Sequence, residues 1–547
     1  MAMLGLMQDW PLTLDKILDH AAAKAGKREI VTRSVEGPIV RTTYAEVHRR
    51  AKQLSHALTE LGVGLGDRVG TLAWNTARHI EVWYGAMGIG AVCHTLNPRL
   101  HPDQICWLIR HADDRVIFTD LTFAPMLMAN AANLPNLKQI VILTDEAHRP
   151  AQAPAEAATY EELIAGRPTD CAWGGFDEHT AAGLCYTSGT TGDPKGVLYS
   201  HRSNFLHTFM TLQRDAIGLS GQDTALMVVP MFHANAWGMA FSCPAAGAKL
   251  VLPGARLDGA AMEELINSEQ VTFAAAVPTV WQMLLQHLDG TGGRIDSLKR
   301  VVIGGAACPP ALIQAFHDRY GVEVVHAWGM TETSPLGTVG SLTSDVAALP
   351  FDQQMPVRMK QGRAPLGVEL ALADEEGRPR PHDGRSPGHL KVRGPIVAKA
   401  YYRGEATILD ADGFFDTGDI ATLDADGYMQ ITDRAKDLIK SGGEWISSID
   451  MENLLIAHPK VAAAAVIGVH HPKWTERPLL IVKLKAGQMA TRDELLGFLD
   501  GKIAKWWMPD DVALVDEIPL GATGKIDKKL LRIRFADYRL PSLEPAA

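Results

Sequence analysis

At about 150 residues per domain, a chain of 547 residues should hold two to four domains. Its formal charge of −10 and pI near 6.1 exclude a general nucleic-acid binder or a polybasic membrane anchor, so any anionic ligand must be met by local Lys and Arg. Six scattered cysteines with no C-x-x-C pair and no zinc spacing read as reduced, mostly buried thiols. Met1 to Leu14 lacks the basic start of a signal peptide, and no apolar run approaches the ~20 residues that span a bilayer, so a soluble cytoplasmic protein is expected.

Helix and strand patterns alternate along the chain, which predicts an α/β architecture. A helix should open at Thr43 with a capping box to Glu46, bury Val47, Ala51, Leu54, Leu58 and Leu61, and stop at Gly62. Strands are expected at Arg68 to Ala73, Val116 to Thr119, Ile140 to Leu143 and Thr272 to Val277, the last leading over Pro278 into a helix beginning near Val280. Leu298 to Ile303 should form a strand ending in the bare backbone of Gly304-Gly305-Ala306, a favoured ligand position in parallel sheets. From roughly 340 to 430, short runs broken by Gly, Pro and Asp predict a small β-rich subdomain. Apolar clusters at Val461 to Val469, Leu479 to Val482 and Leu495 to Leu499 predict a separate C-terminal domain. The expected division is 1–432 and 433–547.

Tyr186-Thr187-Ser188-Gly189-Thr190-Thr191-Gly192-Asp193-Pro194-Lys195-Gly196 gathers four hydroxyls, three glycines and one lysine, a composition suited to gripping a polyphosphate. It is not a Walker A loop, because Pro194 precedes the lysine and Gly196 follows it. Four further segments stand out in order. They are His326-Ala327-Trp328-Gly329-Met330-Thr331-Glu332-Thr333, straight after an expected strand Val322 to Val325, Tyr401-Tyr402-Arg403-Gly404 followed by Phe414 to Asp419, Asp433 to Glu444, and Gly521-Ala522-Thr523-Gly524-Lys525.

Together these five segments resemble the adenylate-forming superfamily of acyl-CoA synthetases, luciferases and peptide-synthetase adenylation domains, over nearly the whole chain. The resemblance implies a large N-terminal domain of two α/β layered subdomains plus the β-rich subdomain, and a smaller, mobile α+β C-terminal domain. It also implies two half-reactions: carboxylate and ATP give acyl-adenylate and pyrophosphate, and coenzyme A then displaces AMP. On this resemblance Thr187, Ser188, Gly189, Thr190, Thr191, Gly192 and Lys195 hold the β- and γ-phosphates. Glu332, with Thr187, ligates Mg²⁺; Thr331 meets the α-phosphate. Gly305, Ala306, Trp328, Gly329 and Met330 line the adenine, Trp328 standing where the family usually has tyrosine. Asp419 and Arg434 match the ribose ligands. Lys525 bridges carboxylate and α-phosphate, Lys436 matches the hinge, and Gly442-Gly443 match the backbone that passes pantetheine. Lys440, Lys473 and Arg477 are candidates for the CoA 3′-phosphate.

Phe232 is followed by His233, not by the aspartate with which the peptide-synthetase domains of this superfamily hold an amino-acid amine, so the resemblance disfavours an amino-acid substrate. His233 and Trp237, with Gly304, match the lining and gate of the acyl tunnel in the fatty acyl-CoA synthetase branch, and Trp474-Thr475-Glu476-Arg477-Pro478 is typical of that branch. Within it the chain resembles bacterial 3-methylmercaptopropionate-CoA ligases of dimethylsulfoniopropionate catabolism. The expected acid is therefore 3-methylmercaptopropionate, with a medium- or long-chain fatty acid as the alternative. The branch also implies a homodimer. A hydrolase is disfavoured because Ser188 lies in Tyr-Thr-Ser-Gly and not in G-x-S-x-G.

Overall fold

The computed structural model describes every residue except 1, 2, 4, 152, 154–156, 188–193, 442, 443, 522–524 and 542–547. Among the described residues two large sheets carry the first two-thirds of the chain. One runs Leu336–Val339, Glu323–Gly329, Arg300–Ile303, Phe273–Ala276, Thr224–Leu226, Lys249–Leu252, Glu29–Arg33 and Ile39–Thr43, parallel inside and antiparallel at both edges. The other runs Ala158–Thr159, Gln139–Ile142, Asp114–Thr119, Arg68–Leu72, Val92–Thr95, Ala181–Tyr186 and Gly196–Ser200, with only the last strand antiparallel.

The period-2 alternation of a strand decides where each side chain goes. Ala225, Leu250, Leu252 and Val302 face a cluster shared with Trp83, Tyr84 and Phe241 and with Cys93 and Ala182 of the second sheet, which joins the two layers. Their neighbours Leu226, Val251, Val301 and Ile303 face the opposite side, against Trp281 and Phe316. Both faces being covered, these strands are apolar throughout and do not alternate with polar residues.

The predicted helix spans Tyr44–Glu60, capped by Thr43 Oγ1, which accepts from Glu46 N. The reciprocal half of the predicted capping box is absent: the Glu46 carboxylate accepts instead from Arg49 Nε at 2.8 Å, the competing i,i+3 ion pair. The helix after Pro278 is Pro278–Thr291, the ring at its first position. The expected strand before His326 does not stop there. It continues to Gly329 because Leu336–Val339 folds back and extends the ladder, pairing Ala327 with Val339 and Trp328 with Thr338.

The predicted β-rich region begins with helix, Ser344–Ala347 and Phe351–Arg358, before an antiparallel sheet of Glu369–Ala373, Gly388–Arg393, Phe415–Leu423 and Met429–Arg434. The chain leaves this sheet after Arg434. The C-terminal body is a mixed sheet of Ile439–Ser441, Glu444–Ile446, Val461–His471, Thr475–Leu484 and Asp511–Leu514. Val466, Leu480 and Val482 face Met451, Leu455 and Leu495, whereas Ile467, Leu479 and Ile481 face Ile518, Leu531 and Leu540, giving an α+β layer with its own core. The six cysteines are free thiols, five of them buried and Cys171 half-buried.

Candidate active site

A cavity of about 730 Å³ lies where the carboxyl ends of both large sheets, the β-rich subdomain and the C-terminal body meet. Its wall includes Thr187, Lys195, His233, Trp237, Gly304, Gly305, Trp328, Gly329, Met330, Thr331, Glu332, Arg434, Lys436 and Lys525, so most of the predicted site converges there from six separate segments. Ala306 does not line it. Asp419 stands just behind the wall, bonded to two residues that do. The predicted phosphate contacts Ser188, Gly189, Thr190, Thr191 and Gly192, and the pantetheine pair Gly442-Gly443, lie outside the described residues.

The stem of the polyphosphate loop is closed by a reciprocal pair: Thr187 N–H donates to Lys195 C=O at 2.9 Å and Lys195 N–H to Thr187 Oγ1 at 3.3 Å. Tyr186, just before the stem, has its hydroxyl 2.6 Å from His111 Nδ1. The Lys195 ammonium lies 4.9 Å from the centre of the Tyr401 ring, a cation–π distance. The Tyr401 hydroxyl in turn donates to Glu332 Oε1 at 2.8 Å. Tyr199 donates to the Thr331 carbonyl at 2.8 Å, which fixes the backbone that carries Glu332. The Tyr401-Tyr402-Arg403-Gly404 motif was legible in the sequence, but the role of Tyr401 as a support for Glu332 was not.

Lys525 enters from the C-terminal body. Gly521 N–H donates to its carbonyl at 2.6 Å and Leu520 bridges to Ile526, so the backbone leaving the lysine is tied. Its stem rests against Gly305, where an added Cβ would lie 3.5 Å from Lys525 Cε. Desolvation in the cavity, reinforced by the Arg434 charge and partly opposed by Asp419, pulls the Lys525 ammonium down to about 8.

The apolar end of the cavity is built from Phe232, Trp237, Met239, Phe273, Val302 and Leu336. Trp237 lies over bare backbone: Cβ atoms added at Gly304 and Gly305 would stand 3.3 Å and 3.6 Å from its ring. The segment that presents it is unusual. Ala234, Asn235, Ala236, Trp237 and Gly238 all have φ between 43° and 78°, a left-handed turn that costs roughly 1–2 kcal/mol for each non-glycine residue. The buried Asn235 side chain, bonded to Cys185 and Asn204, anchors that turn. His233 just before it is held near 4 by desolvation, with Lys525 and Arg99 adding to the effect, so its imidazole is neutral at physiological pH.

None of the three candidates for the CoA 3′-phosphate is brought to the cavity, and the Lys473 ammonium lies 4.6 Å from the centre of the Trp474 ring. Lys440 points its ammonium to 3.7 Å from Glu375. Arg477 is engaged within its own domain, by Asp510, Ser441 and the carbonyls of Trp506 and Met508, which take four of its five N–H donors. These partners lie 29 to 36 positions away in sequence, so the engagement of Arg477 is invisible in the sequence.

Residues 18–402 match the model of the AMP-binding enzyme family and residues 450–525 that of the AMP-binding enzyme C-terminal domain. The chain belongs to the AMP-binding enzyme family. It is 51% identical over 535 residues to a 3-methylmercaptopropionyl-CoA ligase of Ruegeria lacuscaerulensis, covering 98% of this chain and 99% of that one. It is 47% identical to a medium-chain-fatty-acid–CoA ligase of Ectopseudomonas oleovorans, covering 99% of both. Among solved structures of AMP-binding enzymes, the anthranilate CoA ligase AuaEII in complex with anthranoyl-AMP superposes with a TM-score of 0.85 at 26% identity, over 96% of this chain and 99% of that one. The two-domain adenylate-forming fold expected from the five segments is thus the fold observed.

Proposed function

We propose that this AMP-forming acyl-CoA synthetase activates 3-methylmercaptopropionate. The observation that carries the reading is one cavity with a polar, cation-bearing end at Lys195, Glu332 and Lys525 and an apolar end closed by the Trp237 ring, in a chain 51% identical over its length to a 3-methylmercaptopropionyl-CoA ligase. A short thioether acid needs an anion-stabilising group at its carboxylate and an apolar wall at its methylthio end, and both are present. A medium-chain fatty acid asks for the same wall with more depth, and the 47% identical relative keeps it as the second reading.

In the first half-reaction the acid's carboxylate oxygen attacks the α-phosphorus of ATP and pyrophosphate leaves. Displacement at phosphorus is governed by positioning and charge neutralisation, so the groups that matter are donors and cations. Lys525 neutralises charge shared between the carboxylate and the α-phosphate, Lys195 and the loop it closes hold the departing phosphates, and Asp419 with Arg434 orients the ribose. Mg²⁺ fits the chemistry of the wall: Glu332 and Thr187 are the oxygen donors that would hold it, with phosphate oxygens completing the shell of a hard cation, and when bound it would neutralise polyphosphate charge. In the second half-reaction the CoA thiol displaces AMP, after the C-terminal body turns about Lys436 and withdraws Lys525. The expected homodimer and cytoplasmic location belong to the same reading; among the described residues no helix is long and apolar enough to cross a membrane.

The test is CoA- and ATP-dependent AMP release over 3-methylmercaptopropionate, butyrate, hexanoate, octanoate and palmitate. The highest kcat/KM is expected for the thioether acid; a maximum at octanoate or beyond would replace the substrate and keep the mechanism. Trp237→Ala should move the preference toward longer acids, because each methylene that fills the vacated space gains up to about 0.8 kcal/mol, roughly threefold to fourfold in kcat/KM. An unchanged chain-length profile in that variant would remove Trp237 as the end wall.

A further inference from the structure

Trp328 touches more than the cavity. Its indole Nε1–H donates to Asp419 Oδ2 at 2.9 Å, while Arg434 Nε lies 2.9 Å from Asp419 Oδ1. Asp419 is 2% exposed and Trp328 7%, so this is a buried carboxylate with one donor fixed on each oxygen. A carboxylate turns about a broad, two-fold terminal torsion, and a donor on one oxygen alone leaves that rotation loosely defined. Arg434 cannot define it unaided, because its own side chain is 41% exposed.

The indole is fixed independently of Asp419. A Cβ added at Gly337 would lie 2.2 Å from Trp328 Cζ3 and 2.4 Å from Cε3, so the benzo edge of the ring abuts the bare backbone of the neighbouring strand. Trp328 also packs in the cluster formed by Val368, Leu372 and Phe415, which belongs to the β-rich subdomain. The ring therefore has its benzo edge against Gly337 and its pyrrole edge aimed at the strand Phe415–Leu423 that carries Asp419.

We propose that Trp328 is a positioning residue for the nucleotide's ribose: its N–H locks the Asp419 carboxylate so that the free lone pairs face the sugar hydroxyls. Neither phenylalanine nor tyrosine reproduces this, since one has no donor and the other carries its hydroxyl at the far end of the ring. The inference rests on the reading of Asp419 as the acceptor of the ribose hydroxyls.

The experiment compares wild type, Trp328→Phe and Trp328→Tyr with ATP, 2′-deoxyATP and 3′-deoxyATP, recording KM and kcat of pyrophosphate release. Tyrosine is the usual residue at this position in the family, so that variant retains the ring and the fold. Both variants should raise KM for ATP about tenfold, the scale of one hydrogen bond to a charged group, with kcat changed by less than about twofold. The increase should be far smaller for the deoxynucleotide that lacks the hydroxyl Asp419 receives, so the wild-type preference for ATP shrinks several-fold. Equal loss for all three nucleotides would overturn the proposal and leave the ring as a wall alone. A wild-type enzyme that accepts both deoxynucleotides as well as ATP would overturn the Asp419 reading, and the proposal with it, before any variant is made.

Discussion

Lys525→Ala is expected to abolish acyl-adenylate formation, by at least 10²–10³-fold on the scale of removing one preorganised charge-stabilising donor, while leaving thioester formation from supplied acyl-adenylate and CoA largely intact. The lysine reaches the cavity with its carbonyl tied to Gly521 and its stem lying along Gly305. Its ammonium is poised near 8 by desolvation, with Arg434 adding to the effect. The protonated form is the one that neutralises developing charge, so kcat/KM for adenylation should fall as pH rises through about 8. Lys525→Arg, whose guanidinium stays charged, should carry that limb to higher pH even if its absolute rate is lower. Pyrophosphate release and single-turnover thioester formation separate the two steps. Equal loss of both in Lys525→Ala would refute the division of labour, and a pH limb unmoved in Lys525→Arg would assign the limb to another group.

The chemistry of this protein is legible where the residues are adjacent in sequence and hidden where they are not. Thr187 and Lys195 close one loop, and Gly304-Gly305 end one strand, so composition and turn chemistry are enough to mark them. The partners that make the site rigid come from far away: Tyr401 meets Glu332 across 69 positions and Trp328 meets Asp419 across 91. No local periodicity encodes such contacts. The same reason explains the two corrections in the fold. Strand Glu323–Gly329 is longer than its own apolar run suggests because a later segment pairs with it, and Phe351–Arg358 is helical although the composition around it reads as short strands. The left-handed turn Ala234 to Gly238 has little sequence signature, since three of its five residues, Ala234, Ala236 and Trp237, are types that avoid positive φ when free to choose. It exists because Asn235 is anchored in the interior and because Gly304 and Gly305 leave room for the Trp237 ring.

Glu332→Gln should lower kcat/KM by about 10²–10³-fold while leaving thermal stability nearly unchanged. The residue is 6% exposed, with its side chain held by Tyr401, which donates to Oε1, and its backbone by Tyr199, which donates to the preceding carbonyl, and by Ala398 N–H, which donates to the Glu332 carbonyl at 2.8 Å. An amide oxygen keeps the Tyr401 hydrogen bond and the shape, so the clamp survives and only the negative charge is lost. That separates a charge requirement from a packing requirement. Tyr401→Phe makes the complementary change, keeping the charge and removing one donor to it, and should cost about tenfold, the scale of a single hydrogen bond to an ionised group. Titrating Mg²⁺ at fixed ATP distinguishes the two. Glu332→Gln should demand much higher Mg²⁺ and fail to recover fully at saturation, whereas Tyr401→Phe should recover most of its rate because the carboxylate, though looser, is still there to ligate. If Glu332→Gln at saturating Mg²⁺ stays within a few-fold of wild type, Glu332 is a helix-capping or packing carboxylate and the metal assignment falls.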